Sequence, residues 1–481
     1  MSRSAQTHPF DFSVITNSLQ AAIDLDQEAM ETQLAIGTTD SFAAAKKIYQ
    51  EGAFSKSVAT VNLSAPLGTA IEKGTPITGV SADGSAVVGK AYEDSAAGTV
   101  TLLVQYKTSD SQNSYVECQV GANPNPNTSG CFAATGTLTI NGASVGYSYD
   151  PLSENGAKRT IAGFSTSAQK KMAQCENCPY VTYEKYFKYY GAYDYAHQIV
   201  MAAFEGERTS FNNFNNDFGI YDFAGREQII KKGTAFMNIF MYVIREMEDA
   251  LDDCQEACTI ENCNDDPVHA WDEAVAFWTG SLEGTDGSGS GKLMYALADK
   301  RCSNFKTCGD LADSTSGTSK VNIEIFKNFG IGKNKINQGQ CASARTEKEA
   351  IEKLMMIPLI QGTLRYAWKT DNEAYSEKAE AEGVIFALSV VPVVAACDPA
   401  AAMVIESNLI AGQRSSADFA AVKAAFENNY ECMGVDGAMV GGLYDSALGT
   451  YYAGAQPSSS STLSMAVGAG VAAITALSMF L

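Results

Sequence analysis

Carboxylate and imidazole side chains lie close together in two segments of the chain that repeat one short phrase. Residues 192–196 read Ala-Tyr-Asp-Tyr-Ala, and residues 270–274 read Ala-Trp-Asp-Glu-Ala. On a helix, His269, Asp272 and Glu273 stand three and four residues apart and share one face. One imidazole and two carboxylates at this spacing suit a hard or borderline metal ion. The alternative is a helix N-terminus whose dipole the two carboxylates complement.

The earlier of the two segments offers the same kinds of ligand and adds phenol groups. Phenolate and carboxylate oxygens are hard anionic donors, and ferric iron prefers such donors to thiolates. The chain has 3 histidines, and two of them belong to these segments. The alternative is an aromatic helix face packed in the core, which is what tyrosine-rich stripes usually are. The candidate ligands of this segment are Tyr189, Tyr193, Asp194, Tyr195 and His197.

An arginine in an apolar segment is a further candidate. Arg365 follows the mostly apolar residues 357–364. A buried arginine needs a carboxylate or another anion as its partner. In a structural role Arg365 forms an ion pair, and in a functional role it holds a small oxyanion beside a metal ion.

The spacing of apolar residues predicts the elements that must position these side chains. Helical spacing covers residues 17–50 and dominates again from residue 171 to residue 453. Residues 58–149 instead alternate and contain the hairpin dipeptides Asp83-Gly84 and Asn141-Gly142. The sequence therefore predicts a mainly α fold with an inserted antiparallel β module.

Recurrence of the phrase predicts duplicated helical units within this fold. A third version, Leu-Tyr-Asp-Ser-Ala, stands at residues 443–447. The predicted regions are an N-terminal helical segment (12–56), the β module (57–150), a helical region that carries the candidate ligands (165–456) and a polar spacer with a hydrophobic C-terminal anchor (457–481).

Charge and cysteine content restrict the class of protein. Lysine and arginine number 34 against 55 acidic residues, a formal charge of −21, which argues against nucleic acid as a partner. An even count of 12 cysteines favours disulfides and an oxidising compartment over metal thiolates. The sequons at Asn62 and Asn127 fit a secreted glycoprotein.

The first residues of the sequence do not resemble a signal peptide, whereas the last residues resemble a membrane anchor. The first eleven residues contain no apolar core of signal-peptide length. Residues 463–480 are apolar and uncharged and follow a polar spacer at 458–462. This pattern predicts attachment to a membrane through a transmembrane helix or a lipid anchor.

Long stretches of the chain resemble the phytotransferrin family, the iron-starvation-induced and Fe-assimilating surface proteins of diatoms and other algae. The matching text includes residues 231–237, 242–254, 264–284 and 357–366, within a resemblance that runs from about 180 to 455. The resemblance implies a non-enzymatic protein at the plasma membrane that captures ferric iron together with carbonate. It also implies internalisation to endosomes and endocytic or reductase partners.

Two other functions compete with this interpretation. A metal-dependent hydrolase on a duplicated helical fold would use the same carboxylates, although the chain has no Gly-x-Ser-x-Gly and no His-Glu-x-x-His motif. An adhesive surface glycoprotein would use the β module as its contact surface. Ferric iron binding with a tyrosinate-to-iron visible band favours iron capture, turnover of peptide or ester substrates favours the hydrolase, and metal-independent cell aggregation favours adhesion.

Overall fold

The computed structural model describes most of the chain between residues 21 and 457. The predicted C-terminal anchor, six of the twelve cysteines and the turn residue Asp83 lie outside the described residues. The described residues are 10, 15, 21–52, 58–80, 84, 86–105, 132–133, 135–149, 160–173, 180–255, 267–284, 287, 289–412 and 417–457.

The β module is a closed antiparallel barrel, as the alternating pattern predicts for an antiparallel sheet. Its strands follow the order β1-β4-β3-β2-β5-β6, and β6 pairs back onto β1. Alternate side chains such as Ile77, Val87 and Leu138 fill a core separate from that of the helices. The strands are β1 (Val58–Leu63), β2 (Pro76–Val80), β3 (Ala86–Ala91), β4 (Thr101–Gln105), β5 (Thr135–Ile140) and β6 (Ala143–Tyr149).

The predicted Asn-Gly hairpin joins β5 to β6. Asn141 and Gly142 have φ angles of 49° and 81°, the left-handed conformation that a two-residue turn of this type requires. Asparagine and glycine tolerate this conformation better than other residues. The dipeptide therefore sets the register in which Ile140 pairs with Ala143.

Helices form the rest of the described chain. A π-helical segment, Thr234–Ile239, joins α7 to α8 without a break, and two short strands, β7 (Tyr444–Asp445) and β8 (Thr450–Tyr451), follow the last helix. The helices are α1 (Ile23–Leu34), α2 (Thr39–Glu51), α3 (Ile161–Thr166), α4 (Ala168–Ala173), α5 (Val181–Tyr190), α6 (Tyr195–Glu205), α7 (Phe223–Gly233), α8 (Phe240–Gln255), α9 (Pro267–Thr279), α10 (Met294–Phe305), α11 (Lys320–Asn337), α12 (Cys341–Asn372), α13 (Glu377–Cys397), α14 (Pro399–Asn408), α15 (Phe419–Glu427), α16 (Tyr430–Met433) and α17 (Gly437–Val440).

The two longest helices, α12 and α13, pack together as a hairpin. Ser376 begins α13 by accepting a hydrogen bond from the backbone N–H of Ala379 at 3.3 Å. By length and composition α13 could cross a membrane, but 78% of its most apolar stretch is buried within the protein. Its continuous apolar sequence therefore reflects a core helix surrounded by α12, α7, α5 and α14.

Buried charges connect α8 to α12. Lys348 on α12 is 3% exposed and forms ion pairs with Glu248 on α8 and, at 2.7 Å, with Glu352 one turn away. Arg345 also bonds to Glu248, at 2.8 Å. Burial lowers the pKa of the Lys348 ammonium, but the two carboxylates more than reverse this, so its pKa lies above the usual value. The charge on Lys348 is therefore fixed by its carboxylate partners.

The fully buried carboxyl group of Asp24 joins α1 to the end of α9. Its Oδ1 accepts a hydrogen bond from the Ser281 hydroxyl at 2.6 Å, and its Oδ2 accepts one from the Leu282 N–H at 2.7 Å. Gly280 permits this approach, because a Cβ atom there would lie 2.4 Å from Oδ2. Burial raises the pKa of Asp24 to about 7, although both hydrogen bonds lower it.

Substitution Asp24→Asn is expected to remove part of the pH dependence of the unfolding free energy. The folded-state pKa is raised above the reference value of 3.8, so this group stabilises the fold fully below that value. The stabilisation is lost as the pH rises towards and through 7, with a slope of at most about 1.4 kcal/mol per pH unit. Urea unfolding of both proteins from about pH 4 to about pH 8 measures the difference. Parallel pH profiles would contradict the assignment to Asp24.

The six described cysteines form three disulfides, as the cysteine content predicts. Cys254–Cys341 joins the end of α8 to the start of α12, residues 87 apart in sequence. The other two, Cys302–Cys308 and Cys397–Cys432, close shorter loops. Cys302–Cys308 links α10 to the loop that follows it, and Cys397–Cys432 links the end of α13 to α16.

Mass spectrometry of the unreduced protein is expected to recover these three pairs as cross-linked peptides. Their sulfur atoms are within bonding distance in the folded chain, and an oxidising compartment preserves such bonds. Alkylation before and after reduction serves as the control, because it separates native thiols from those that reduction produces. Recovery of these six cysteines as free thiols would contradict the extracytoplasmic position.

The three similar phrases occupy different local structures. Asp194 precedes the first residue of α6, Asp272 lies within α9, and Asp445 lies in β7. The first two phrases do end alike, because Gly206 and Gly284 both adopt positive φ. The similarity of sequence therefore does not place the three carboxylates at one equivalent structural position.

Candidate metal-binding site

The tyrosine-rich segment turns sharply between α5 and α6, and this turn presents Asp194 and His197. Gly191 ends α5 in the left-handed conformation, with φ of 80°. Asp194 then precedes α6, and its Oδ1 accepts a hydrogen bond from Gln198 at 2.7 Å. His197 lies in the first turn of α6, where the Ser165 hydroxyl accepts its backbone N–H. Both side chains are half-buried.

The imidazole of His197 contacts a phenol that lies far away in the sequence. The hydroxyl oxygen of Tyr49 on α2 is 2.9 Å from Nδ1 of His197, and the two rings stack at 5.7 Å. Asn238 donates its side-chain N–H to the same Tyr49 oxygen at 3.1 Å. The Tyr49 proton is therefore available to Nδ1 of a neutral His197, which then carries its own proton on Nε2.

Two buried oxygen atoms in this region lack hydrogen-bond partners among the described residues. They are the hydroxyl of Tyr195 and Oδ1 of Asn238, and both residues are 2% exposed. Both residues line one narrow cavity of about 10 Å³, together with Tyr183 and Tyr193. This volume is about the space that one water molecule or one bare metal ion requires. Unsatisfied buried oxygens are costly, so the arrangement favours a bound donor or cation.

The π-helical segment places Asn238 in this position. The segment interrupts the α-helical path between α7 and α8, and such interruptions occur frequently at functional sites. Asn238 also donates to the backbone oxygen of Ile161 at 3.2 Å, which fixes the amide with its Oδ1 available. The π geometry therefore supplies an oxygen donor that a continuous α-helix would orient elsewhere.

Burial keeps the phenols and the imidazole of the site uncharged in the absence of a metal ion. It raises the pKa of Tyr49 and of Tyr195 far above the usual value, and Asp194 adds to the effect on Tyr49. It also lowers the pKa of His197, against the opposing charge of Asp194. The phenols are therefore protonated and the imidazole is unprotonated at neutral pH. A cation that binds here must displace phenol protons.

Most tyrosines of α5 are committed to structural hydrogen bonds. The hydroxyl of Tyr186 donates to the backbone oxygen of Ser389 at 2.6 Å, and that of Tyr190 donates to Leu388 at 2.5 Å. Tyr189, a predicted ligand, donates to Glu406 on α14. For these residues the structure agrees with the alternative of a packed aromatic face. Tyr193 lies differently, because its ring stacks on Phe187 at 4.2 Å and remains half-buried.

The predicted ligands of α9 have partners of their own. Nε2 of His269 lies 3.1 Å from Oε1 of Glu273, and Asp272 forms an ion pair with Lys333 on α11 at 2.6 Å. The same helix buries Trp271 and Trp278 in the core. Among the described residues, no three His, Cys, Asp or Glu side chains form a group that could hold a metal ion. A metal site in this part of the chain therefore requires phenol or amide oxygens as well.

Arg365 lies among other cations. Lys300 and Arg301 on α10 are its electrostatic neighbours, and its Nε has no hydrogen-bond partner among the described side chains. The cation that acts on His197 is a different residue, Lys46, which pairs with Glu205. The structure therefore places Tyr193 and Tyr195 at one cavity with Asn238, and it connects His197 and Asp194 to that region through Tyr49, while Arg365 has another environment.

Sequence reasoning missed Tyr49, Asn238 and Lys46 as members of the site. Tyr49 belongs to the buried face of α2, and an aromatic residue at such a position is normally interpreted as part of the hydrophobic core. Asn238 lies in an apolar stretch of the sequence. A polar amide in such a stretch could have indicated a functional or hydrogen-bonding role, because a buried amide needs partners. Lys46 lies on the same helix as Tyr49 at a half-buried position, and nothing in the sequence marked it as part of a site.

The family of the protein is shown by its sequence. Residues 182–453 match the family model described as Fea1, low iron-inducible periplasmic protein. The match covers more than half of the chain, so the protein belongs to the low iron-inducible periplasmic protein family. No curated protein and no solved structure matches it. The family is compatible with an iron-related role and with a periplasmic, cell-surface or secreted position.

Proposed function

We propose that the protein is a phytotransferrin-like receptor, without enzymatic activity, that captures ferric iron with carbonate at the cell surface for endocytic uptake. Membership of a low iron-inducible family supports iron as the metal. The periplasmic description of that family and three disulfides support an extracytoplasmic position. The apolar residues 463–480 are the proposed membrane anchor, and endocytic or reductase partners are the proposed route to the cell interior.

One distance carries the proposal. Two ligands at a right angle on an octahedral ion, with bonds of about 2.0–2.1 Å, lie roughly 2.9 Å apart. The Tyr49 oxygen and Nδ1 of His197 are 2.9 Å apart. Ferric iron could therefore replace the proton at the present separation of the two atoms, although the ion would lie to one side of the line that joins them and both rings would have to turn towards it.

Other side chains complete the proposed set of ligands. Asp194 supplies a half-buried carboxylate, and Tyr195 supplies a buried phenol oxygen without a partner among the described residues. Tyr193 stands at the same cavity. Phenolate, carboxylate and imidazole are donors that suit ferric iron, and its charge offsets the cost of ionising buried phenols.

The α9 residues and Tyr189 remain proposed contributors to iron binding. His269, Asp272 and Glu273 can join only if their present partners release them, and for Asp272 that partner is Lys333. For Tyr189 the partner is Glu406. Their contribution therefore requires these existing contacts to open.

Carbonate requires a positive partner, and two residues are candidates for this role. Arg365 offers an unpartnered Nε among the described residues, and a guanidinium can hold two carbonate oxygens. Lys46 acts on His197 and so lies nearer to the proposed iron ligands. Arg365→Gln and Lys46→Gln distinguish them, because only the variant of the carbonate partner loses the enhancement of iron affinity by bicarbonate.

Iron titration of the purified metal-free protein tests the proposed function. We expect stoichiometric ferric binding, a visible tyrosinate-to-iron absorption band, and stronger binding when bicarbonate is present. Affinity should fall as the pH falls, because binding displaces phenol protons and acid protonates His197 and carbonate. Binding without the visible band would exclude the tyrosine ligands. Absence of ferric binding, or turnover of ester or peptide substrates, would overturn the proposal.

A further inference from the structure

A buried arginine on α10 lacks an adequate partner. Arg301 is 2% exposed, and its Nε and Nη1 donate no hydrogen bond to any described residue. The Tyr366 hydroxyl is its side-chain hydrogen-bond partner. Burial lowers the pKa of Arg301 to about 10, with Arg365 adding to the effect, so the guanidinium is still charged at neutral pH. A buried charge with unused donors calls for an anion.

Two other cations face the same region. Lys300 precedes Arg301 on α10, and burial followed by the charges of Arg301 and Arg365 lowers its pKa. Arg365 on α12 also has an Nε without a partner in the described part of the chain. Three donor nitrogen atoms on two guanidinium groups are thus available, and the guanidinium fork matches the oxygen spacing of an oxyanion.

Cations outnumber carboxylates in this cluster. Lys231 and Lys232 on α7 add to the three side chains above, which makes five positive groups. Within the described residues, their ion pairs are with two carboxylates, those of Glu227 and Glu382. Five minus two leaves a formal excess of three in a chain whose total charge is −21. A multivalent anion reduces this excess more than a monovalent one.

We propose that Arg301, with Lys300 and Arg365, binds a small tetrahedral oxyanion of the inorganic phosphate and sulfate class. This cationic cluster contains none of the proposed iron ligands and shares only Arg365, a candidate carbonate partner, with the proposed iron site, and its anion binding does not depend on iron. The bound oxyanion would accept hydrogen bonds from Arg301 Nε and Nη1 and from Arg365 Nε. It would also join α10 to α12, and through the Tyr366 and Lys232 contacts of Glu382 to α13 and α7.

A neighbouring cavity borders the cationic cluster at Lys300. Lys300 lines a cavity of about 460 Å³. This cavity lies between α10 and the loop residues 289–291 and 315–317. Glu283 and Asp299 also line this cavity, so its charge is mixed. The Asp299 carboxylate accepts bonds from the Ser319 N–H and from Asn322. The anion is therefore assigned to the cluster and not to the cavity itself.

Calorimetric titration of the metal-free, full-length protein with inorganic phosphate tests the proposal. We expect wild-type binding in the millimolar range or tighter. Arg301→Met should weaken it at least about tenfold, because two unused donors and a central charge are lost. The matched control is Arg208→Met, which removes the same formal charge from an exposed position and should change the affinity by less than about twofold. Sulfate in place of phosphate should give the same order of variants.

A second measurement keeps the test decisive if the methionine variant changes the fold. In phosphate-free buffer, Arg301→Met should melt at or above the wild-type temperature, because it removes an unpaired buried charge. Arg301→Lys keeps the charge but loses the fork and should also bind phosphate more weakly. Wild-type protein that binds neither phosphate nor sulfate would overturn the proposal. Unchanged phosphate binding by both variants, or tighter binding of bicarbonate than of phosphate, would overturn it as well.

Separate measurements of phosphate binding and iron binding distinguish a failure of this proposal from a failure of the proposed function. Failure of phosphate to bind leaves the Tyr49–His197 site and its visible band untouched. Failure of ferric iron to bind leaves the phosphate titration interpretable, since that titration contains no metal.

Discussion

Substitution Tyr49→Phe is expected to weaken ferric iron binding by about 100-fold while the fold is kept. The change removes one oxygen atom from a ring that is fully buried. It deletes the proposed phenolate ligand, and it leaves Nδ1 of His197 and the Asn238 amide without their common partner. Competition against a ferric chelator measures the affinity, and circular dichroism monitors the fold. The tyrosinate-to-iron band should weaken or shift in the same variant.

Tyr186→Phe is the matched control for this substitution. It also removes a hydroxyl from a fully buried ring, but that hydroxyl donates to the backbone oxygen of Ser389. Iron affinity should therefore stay within about twofold of wild type, and the cost should appear as about 1 kcal/mol of stability. Equal losses of affinity in both variants would assign the effect to packing. Normal iron binding by Tyr49→Phe would remove Tyr49 from the site.

The same titration on Asp272→Ala decides the contribution of α9. A loss of iron affinity comparable to that of Tyr49→Phe would bring the Asp272 carboxylate into the loaded site and would require its ion pair with Lys333 to open. Normal affinity would leave Asp272 with a structural role on the surface between α9 and α11.

Substitution Lys348→Met is expected to destabilise the protein by roughly 3–5 kcal/mol. Lys348 neutralises Glu248 and Glu352, and all three side chains are at most 10% exposed. Removal of the ammonium leaves two buried carboxylates with Arg345 as the remaining cation at Glu248. Methionine fills similar space, so the effect reports lost charge more than lost packing. Urea unfolding at neutral pH measures the change, which should shrink in acid because burial raises the pKa of Glu352 and that carboxylate becomes protonated first.

Lys327→Met provides the control for the charge change. Lys327 pairs with Glu324 on the exposed side of α11, where its side chain is 64% exposed. Surface ion pairs of this kind contribute at most about 1 kcal/mol. A similar loss in the two variants would mean that net charge, and not the buried network, determines stability. A neutral effect of Lys348→Met would show that the two carboxylates take up protons or move to solvent without cost.

The sequence by itself determined the local structure. Period-two alternation and the Asn141-Gly142 dipeptide identified the β module, because side-chain direction and turn conformation depend on neighbouring residues. Helical spacing from residue 171 to residue 453 identified the helical region that contains α12 and α13 for the same reason. The donors Asp194 and His197 were also visible, since they lie in one short segment.

Tertiary structure decided which donors share a site and which serve the core. The contact between Tyr49 and His197 spans 148 residues, and the ion pair between Asp272 and Lys333 spans 61. Helical periodicity predicts that such side chains face other elements, but it does not specify which element packs there. That choice depends on the summed packing of all helices, and the π-helical turn at Asn238 depends on it as well. Composition likewise gave α13 the character of a membrane span, and burial among its neighbours made it a core helix.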